Sequence, residues 1–283
     1  MGGGFERHIL RGMTRRHFLP RPDVPTLRLH RDSRRGTVRI DHSPLPGGHA
    51  AGTWGPGLAL VLAACLGNHT AEAARPMITD DARIVDAQAC QLESWIRRNE
   101  DGNEYWAVPA CNPTGNLELS LGGARGREDG RMRTTDVQFQ AKTIFRELDT
   151  DGWGIGMAAG MVRHPHAPGG SRDWYAYVPV SFSFGGDRLV VHVNAGWMNA
   201  ANTGGAHPTW GVGSETRLAE HTWLIAETFG QDRRSPSYQF GLRHWLVPDR
   251  VQIDVTYGNR AGSGTQDRWI SLGLRLLTPA FLQ

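Results

Sequence analysis

The side chains that could do chemistry in this chain are few and loosely grouped. His192 and Asn194 lie two residues apart, and Ser181 and Ser183 lie two apart on the segment before them. A serine, a histidine and an amide brought together could hydrolyse an ester. A two-residue turn at Gly185-Gly186 sets His192 opposite Pro179 and Asn194 opposite Tyr177, with Phe182 opposite Leu189 and Ser183 opposite Arg188. Ser181 is then diagonal to His192, roughly 7–8 Å away at the backbone, and the set reads as an ordinary polar face. Asp149-Thr-Asp151-Gly152 opens like a calcium loop, but its twelfth position is Gly160, without the bidentate carboxylate such a loop needs. His164 and His166 flank a proline in a connection and lack a third ligand. No phosphate-binding glycine loop, zinc-spaced Cys/His set or nucleophile elbow occurs. The expectation is therefore no enzyme, no cofactor and no metal.

The elements that carry these residues are strands. Twelve segments have strand length: 88–98, 103–111, 116–125, 132–146, 152–163, 173–184, 187–198, 208–217, 221–230, 236–247, 250–258 and 268–277. The last hairpin is the clearest. Apolar side chains occupy every second position of Tyr238–Val247 and of Arg250–Tyr257, the period of a strand with two unlike faces. A two-residue turn at Pro248-Asp249 pairs Leu246 with Val251, Leu242 with Val255 and Phe240 with Tyr257, and on the other face Arg243 with Asp254. Connections at 112–115, 148–151, 185–186, 218–220 and 248–249 are short. Those at 164–172, 199–207 and 259–267 are longer and rich in Gly, Pro and Ser. Short turns on one side and long loops on the other predict an all-β fold, an antiparallel up-and-down transmembrane β-barrel of about twelve strands. Trp153, Trp174, Trp197, Trp210, Trp223, Trp245 and Trp269 all fall near strand ends, where indole rings form girdles at the two bilayer surfaces.

Charge and cysteines place the chain outside the cytoplasm. Residues 1–56 are rich in Arg, Gly and Pro without periodicity and read as a leader, with the true start expected later in the chain. Leu58–Leu66 is the only strongly apolar run, too short for a spanning helix of roughly 20 residues. With Ala71-Glu-Ala73 behind it, residues 57–73 read as the h- and c-regions of a signal peptide cleaved after Ala73, leaving 74–283 as the barrel. Thr14–Leu19 resembles a twin-arginine motif, but Pro20 follows it and no apolar run comes near. Leu62–Cys65 matches a lipobox, so lipidation of Cys65 stays open. Residues 75–283 hold 21 of the 31 basic and 23 of the 28 acidic residues, so the formal charge of +3 belongs to the leader and gives no reason to expect nucleic acid. Removal of the leader leaves Cys90 and Cys111, equidistant from the middle of the Asn99–Gly102 turn. Antiparallel pairing sets them face to face, and an exported pair is expected to be a disulfide.

The first mature residues, Arg75-Pro-Met-Ile-Thr-Asp-Asp-Ala82, followed by Gln91-Leu-Glu93, resemble the start of the bacterial outer-membrane proteins grouped as phenol meta-cleavage pathway transporters. The likeness covers about Arg75–Glu93; beyond it only the barrel pattern is shared. It implies an outer-membrane barrel acting as a channel for small or hydrophobic molecules. Barrels of this kind usually end on an aromatic residue, whereas this chain ends Phe281-Leu-Gln283.

On a barrel the apolar strand face meets lipid and the polar face the lumen. The polar face is expected to carry Glu93, Glu118, Gln138, Gln140, Lys142, Tyr175, Tyr177, Arg188, His192, Asn194, Glu227, Arg243, Asp254 and Arg275. Both signs of charge occur, so strong ion selectivity is not indicated. The leading expectation is a passive outer-membrane channel for small, including hydrophobic or aromatic, molecules. It would have outer-membrane lipid and the barrel-assembly machinery as partners, with the solute unassigned. The alternatives are a closed barrel with a lipid-modifying or structural role, and a soluble periplasmic β-sandwich. The sequence leaves open whether the lumen is open or plugged.

Overall fold

The computed structural model describes residues 77–283 apart from 129, 168–170, 201–204, 233 and 283. The leader, its signal-peptide, twin-arginine and lipobox readings and Cys65 all lie outside the described residues, as does the last residue, Gln283.

Twelve antiparallel strands follow one another: β1 (Cys90–Asn99), β2 (Gly102–Cys111), β3 (Glu118–Glu128), β4 (Arg131–Arg146), β5 (Trp153–Arg163), β6 (Arg172–Phe184), β7 (Leu189–Ala200), β8 (Gly205–Ala219), β9 (Thr222–Gln231), β10 (Ser237–Val247), β11 (Val251–Arg260) and β12 (Trp269–Leu277). Each pairs with its sequence neighbours, and β12 pairs with β1, so the sheet closes on itself. One closed sheet replaces the two packed layers of a sandwich, which removes the soluble β-sandwich alternative. No described helix is long and apolar enough to cross a membrane.

The strands are built inside out. Along β10, Ser237, Gln239, Arg243 and Trp245 are buried, while Tyr238, Phe240, Leu242 and Leu246 are exposed. The same inversion recurs at Leu121, Phe145, Val212, Leu272 and Ile270, all exposed, against buried Glu118, Lys142, Glu215, Ser271 and Arg275. Alternation forces one set inward and the other outward. Large apolar side chains around the whole outer surface make a wall suited to a bilayer rather than to water.

Registers agree with the sequence pattern in the hairpin bodies and depart from it at the turns. Arg243 faces Asp254, Leu242 faces Val255 and Phe240 faces Tyr257, but a bulge between Trp245 and Val247 pairs Val247 with Val251 in place of Leu246. Cys90 faces Cys111 and the two form a disulfide. The β6–β7 turn takes four residues, Gly185–Arg188, with Phe184 opposite Leu189 and Ser183 opposite Val190. Gly185, Gly186 and Asp187 all adopt positive φ, at 63°, 67° and 59°. Asp187 tolerates this because its carboxylate accepts hydrogen bonds from Ser183 and, at 2.6 Å, Thr150, while Asp151 accepts the Gly186 amide at 2.8 Å. The 149–152 segment is thus a turn brace and not a cation loop.

The contrast of short turns and long loops is weaker than the sequence suggested. The end carrying the chain termini has connections at 112–117 and 147–152, while the opposite end has two-residue turns at 100–101 and 129–130. The tryptophans divide as well. Trp153, Trp174, Trp197 and Trp210 are exposed on the outside, but Trp245 and Trp269 are buried inside the barrel. Their strand parity points them inward, and the Trp269 indole donates to Gln239 Oε1 at 3.0 Å.

Candidate functional site: a lumen closed by the N-terminal segment

Residues 77–87, immediately before β1, run through the barrel interior instead of lying outside it. Met77, Thr79, Asp81, Ala82 and Val85 are all buried, and the wall takes hold of their backbone. Glu227 on β9 accepts the amides of Ile78 at 2.8 Å and Thr79 at 2.6 Å, and also the Gln239 amide at 2.6 Å. Asn194 on β7 bonds Asp80 in both directions, Oδ1 accepting its amide and Nδ2 donating to its carbonyl, each at 2.7 Å. Ser181 on β6 accepts the Ala82 amide at 2.8 Å, and Glu118 on β3 accepts that of Val85 at 3.0 Å. Asn112 donates to the Val85 carbonyl at 2.8 Å.

Asp80 and Asp81 of the segment are anchored through their side chains. Lys142 Nζ on β4 lies 3.0 Å from Asp80 and 3.3 Å from Asp81, and Tyr177 donates to Asp80 at 2.6 Å. Close approach to β8 needs a wall without side chains. A Cβ placed on Gly211 would lie 2.6 Å from Thr79 Oγ1 and 3.3 Å from Thr79 Cβ, so the segment occupies the room this glycine leaves.

The segment lies between two cavities. One of about 200 Å³, at the end away from the termini, is lined by Met77, Ile78, Trp95, Arg97, Trp106 and Phe229 among others. One of about 220 Å³, at the terminal end, is lined by Arg83, Glu215, Trp223, Arg243 and Gln252 among others.

The expected polar-face residues fall as follows. Glu93, Glu118, Gln138, Gln140, Lys142, His192, Asn194, Glu227, Arg243, Asp254 and Arg275 are buried in the interior. Tyr175 and Tyr177 are stacked with centroids 6.2 Å apart; Tyr175 donates to Gln140 Oε1 at 3.0 Å, and the Tyr177 hydroxyl lies 3.2 Å from the same oxygen. Arg243 bridges Asp254 at 2.7 Å and Glu215 at 2.8 Å, and Arg275 donates to Gln91 at 2.7 Å. Arg188 is a correction: the longer turn takes it off the strand and leaves it exposed beside Asp187.

The two-residue shift at that turn also changes the partner of His192. It keeps every side chain on its face but sets His192 directly opposite Ser181, with Oγ 2.8 Å from Nδ1. His192 Nε2 is 3.1 Å from Glu215 Oε1. The tautomer protonated on Nε2 donates to Glu215 and lets Nδ1 accept the Ser181 hydroxyl. Serine, histidine and carboxylate are therefore in hydrogen-bond reach, the arrangement of a nucleophile with its base. Ser181 and His192 are both fully enclosed, and the Ser181 oxygen is already committed to the Ala82 amide. In this state the set is a latch on the segment.

His164 forms a second buried cluster, next to the 164–171 connection. Its Nδ1 is 2.6 Å from Asp136 and its Nε2 3.0 Å from Asp173. Asp136 shares the inward parity of Gln138 and Gln140, and a bulge between Ala124 and Arg125 on β3 and their β4 partners leaves Thr135 extra beside it. Burial opposes a charge on His164, but its hydrogen bonds to the two aspartates outweigh it and raise the imidazole to about 9. At Asp187 burial again opposes the charge, and hydrogen bonds from Ser183 and Thr150 hold the carboxyl below its ordinary value. Among the described residues no cluster is spaced to hold a metal ion.

Sequence reasoning missed the segment itself and with it Thr79, Asp80 and Asp81. It also passed over Arg97, Asp136, Asp173 and Glu215. All four carried a signal: Arg97 shares the parity of Glu93 on β1, Asp136 that of Gln138 on β4, Asp173 that of Tyr175 on β6, and Glu215 the inward parity of Gly211 and Gly213 on β8.

A closed twelve-stranded antiparallel barrel with a polar interior and an apolar outer wall defines the outer-membrane β-barrel class. Within that class, the chain belongs to the family described as "Uncharacterised conserved protein UCP029691", which matches residues 61–277. Similar solved structures include the KdgM porin in complex with disordered oligogalacturonate, with a TM-score of 0.52, 9% identity, and coverage of 66% of this chain and 98% of that one. An outer-membrane channel from Pseudomonas putida F1 gives 0.49, 9% identity, and 73% and 100% coverage. The NanC porin gives 0.45, 13% identity, and 67% and 98% coverage. At 9% identity the likeness to the KdgM porin bears on the fold alone. No curated protein matches the chain in sequence.

Proposed function

We propose that the protein is an outer-membrane channel for small molecules whose lumen is shut by residues 77–87 and opens when they withdraw. The observation that carries this reading is the segment itself, lying between two cavities and held by side chains of the wall rather than by strand pairing. A lumen meant only to be filled could use large inward side chains, as small barrels do. Here the filler is a separate stretch of chain next to the strands, free to leave without breaking the sheet. In the open state Lys142, Tyr177, Glu118 and Glu227 of the wall, which hold it when closed, would face water, a polar lining of mixed sign. The apolar outer wall is matched to outer-membrane lipid, and export by a cleaved leader with insertion by the barrel-assembly machinery completes the reading. The resemblance of Arg75–Ala82 to phenol meta-cleavage pathway transporters supports small or hydrophobic solutes.

A tether tests it. Thr79→Cys with Gly211→Cys places two Cβ atoms about 3.3 Å apart, near the range a disulfide closes. The oxidised double variant is expected to give no conductance steps in planar bilayers, and reduction to restore them. The wild type under the same reductant controls for Cys90–Cys111. Equal conductance from fully cross-linked and reduced protein would overturn the gating role, and no conductance from any folded form would overturn the channel. A second reading, ester hydrolysis by Ser181 with His192 and Glu215, is favoured by their distances alone; lipid hydrolysis abolished by His192→Ala would carry it.

A further inference from the structure

The cavity at the end away from the termini holds a cation with an unused donor. Arg97 on β1 is 3% exposed and lines this cavity. Its Nε has no hydrogen-bond partner, and the Trp269 ring lies 5.7 Å from the guanidinium carbon. Glu104, directly across the sheet, and Glu227 act on its charge electrostatically. The hydrogen bonds of Glu104 come instead from Asn99 at 2.8 Å and the Trp106 indole at 3.3 Å, and Asp136 and Asp173 are bound to His164. A buried guanidinium N–H without an acceptor is costly, and a ligand oxygen can supply one.

Two more polar groups converge on the same space. Trp95 Nε1 and Gln231 Oε1 are buried, line the cavity and lack hydrogen-bond partners. Two of the three are obligate donors, the guanidinium and the indole, and the guanidinium fork matches a carboxylate. The remaining wall is mainly apolar: Trp95 and Trp106 stack with centroids 5.2 Å apart, and Phe229 closes the other side.

We propose that this cavity binds a small monocarboxylate with an aromatic or short aliphatic body, its carboxylate on Arg97 and Trp95 Nε1 and its body against Trp106 and Phe229. The floor of the site is the closing segment, through Met77 to Thr79, so the ligand sits directly above the gate. Binding here does not require the segment to move. An equilibrium measurement therefore reports on the site separately from conductance.

The test is calorimetric titration of the purified full chain in detergent with benzoate, benzyl alcohol and acetate. Benzoate is expected to bind, benzyl alcohol to bind about 10- to 100-fold more weakly for want of one charge-assisted pair, and acetate, which has no body, to give no measurable heat. Arg97→Gln is expected to bring benzoate down to the level of benzyl alcohol and to leave benzyl alcohol unchanged. Equal affinity for acid and alcohol in the wild type, absence of benzoate binding, or unchanged benzoate affinity in Arg97→Gln would each overturn the assignment. Heat-modifiable gel mobility reports whether the variant is folded; if it is not, the comparison of acid and alcohol on the wild type decides alone.

Discussion

Replacing Lys142 by Met should open the channel. In the closed state Lys142 Nζ lies within 3.3 Å of both Asp80 and Asp81, and all three side chains are buried or nearly so. Met preserves the length of the stem and removes the charge, which takes from the enclosed Asp80 and Asp81 the cation that lies 3.0 and 3.3 Å from them. Breaking one partner out of a buried ion pair costs about 3–5 kcal/mol. Asp80 keeps its hydrogen bond from Tyr177 at 2.6 Å, so the lower end of that range applies. The penalty falls on the closed state, because a withdrawn segment carries its carboxylates into water. At about 1.4 kcal/mol per factor of ten, about 3 kcal/mol moves the ratio of closed to open forms by roughly 100-fold. Single-channel recording in planar bilayers reads that ratio as open probability, and Lys142→Arg, which keeps the charge, should stay near the wild type. A folded Lys142→Met barrel with the open probability of the wild type would refute the reasoning, since the pair would then contribute nothing to closure.

Two further predictions concern the frame that holds the gate. The raised His164 contributes stability that is fully present below its ordinary value of 6.5 and is lost as pH rises through about 9; thermal unfolding followed across that window should show the loss, and His164→Gln should flatten it, whereas an equal slope in the variant would exclude the Asp136–His164–Asp173 cluster as its source. Replacing Cys90 and Cys111 by Ser opens a link between residues 21 apart and should lower stability by about 3 kcal/mol on loop-entropy grounds; a denaturation midpoint in detergent equal to that of the oxidised wild type would refute it.

What was legible in the sequence followed from the two-residue period. Parity alone put Glu118, Lys142, Asn194 and Arg243 on the interior side, and two cysteines equidistant from a turn are a register statement in themselves. Turn length was less legible. Gly185-Gly186 supplies two positive φ angles and so suggests a two-residue turn, but Asp187 takes a third because Ser183 and Thr150 hold its carboxylate, and Thr150 comes from another hairpin. That long-range tie moves the register by two and puts Ser181 across from His192. The closing segment has no period to read: apart from the Asp80 and Asp81 carboxylates, its grip on the wall is through backbone amides of Ile78, Thr79, Asp80, Ala82 and Val85, which any sequence possesses. The tryptophan girdle was over-read for a related reason, since nearness to a strand end does not fix the face, and Trp245 and Trp269 turn inward.

The pattern of hydrogen bonds also fixes where the segment must bend. Gln88 has φ of 61°. Its amide donates to Asn112 at 2.8 Å, and its carbonyl accepts the amides of Phe281 at 2.8 Å and Leu282 at 2.9 Å. The next residues are tied at once: Ala89 accepts from the Asn112 amide at 3.0 Å, and Cys90 is cross-linked to Cys111. Withdrawal that began at or after Gln88 would pull apart the β1–β2 pair and the chain end together. Withdrawal that begins before it breaks only contacts between the segment and the wall. Val85 is held by Glu118 and Asn112, the Asp86 carbonyl accepts the Ala89 amide at 3.1 Å, and the exposed Asp86 and Ala87 lie between Val85 and the fixed point. The pivot is therefore 86–87, and the moving part is 77–85, the stretch that separates the two cavities.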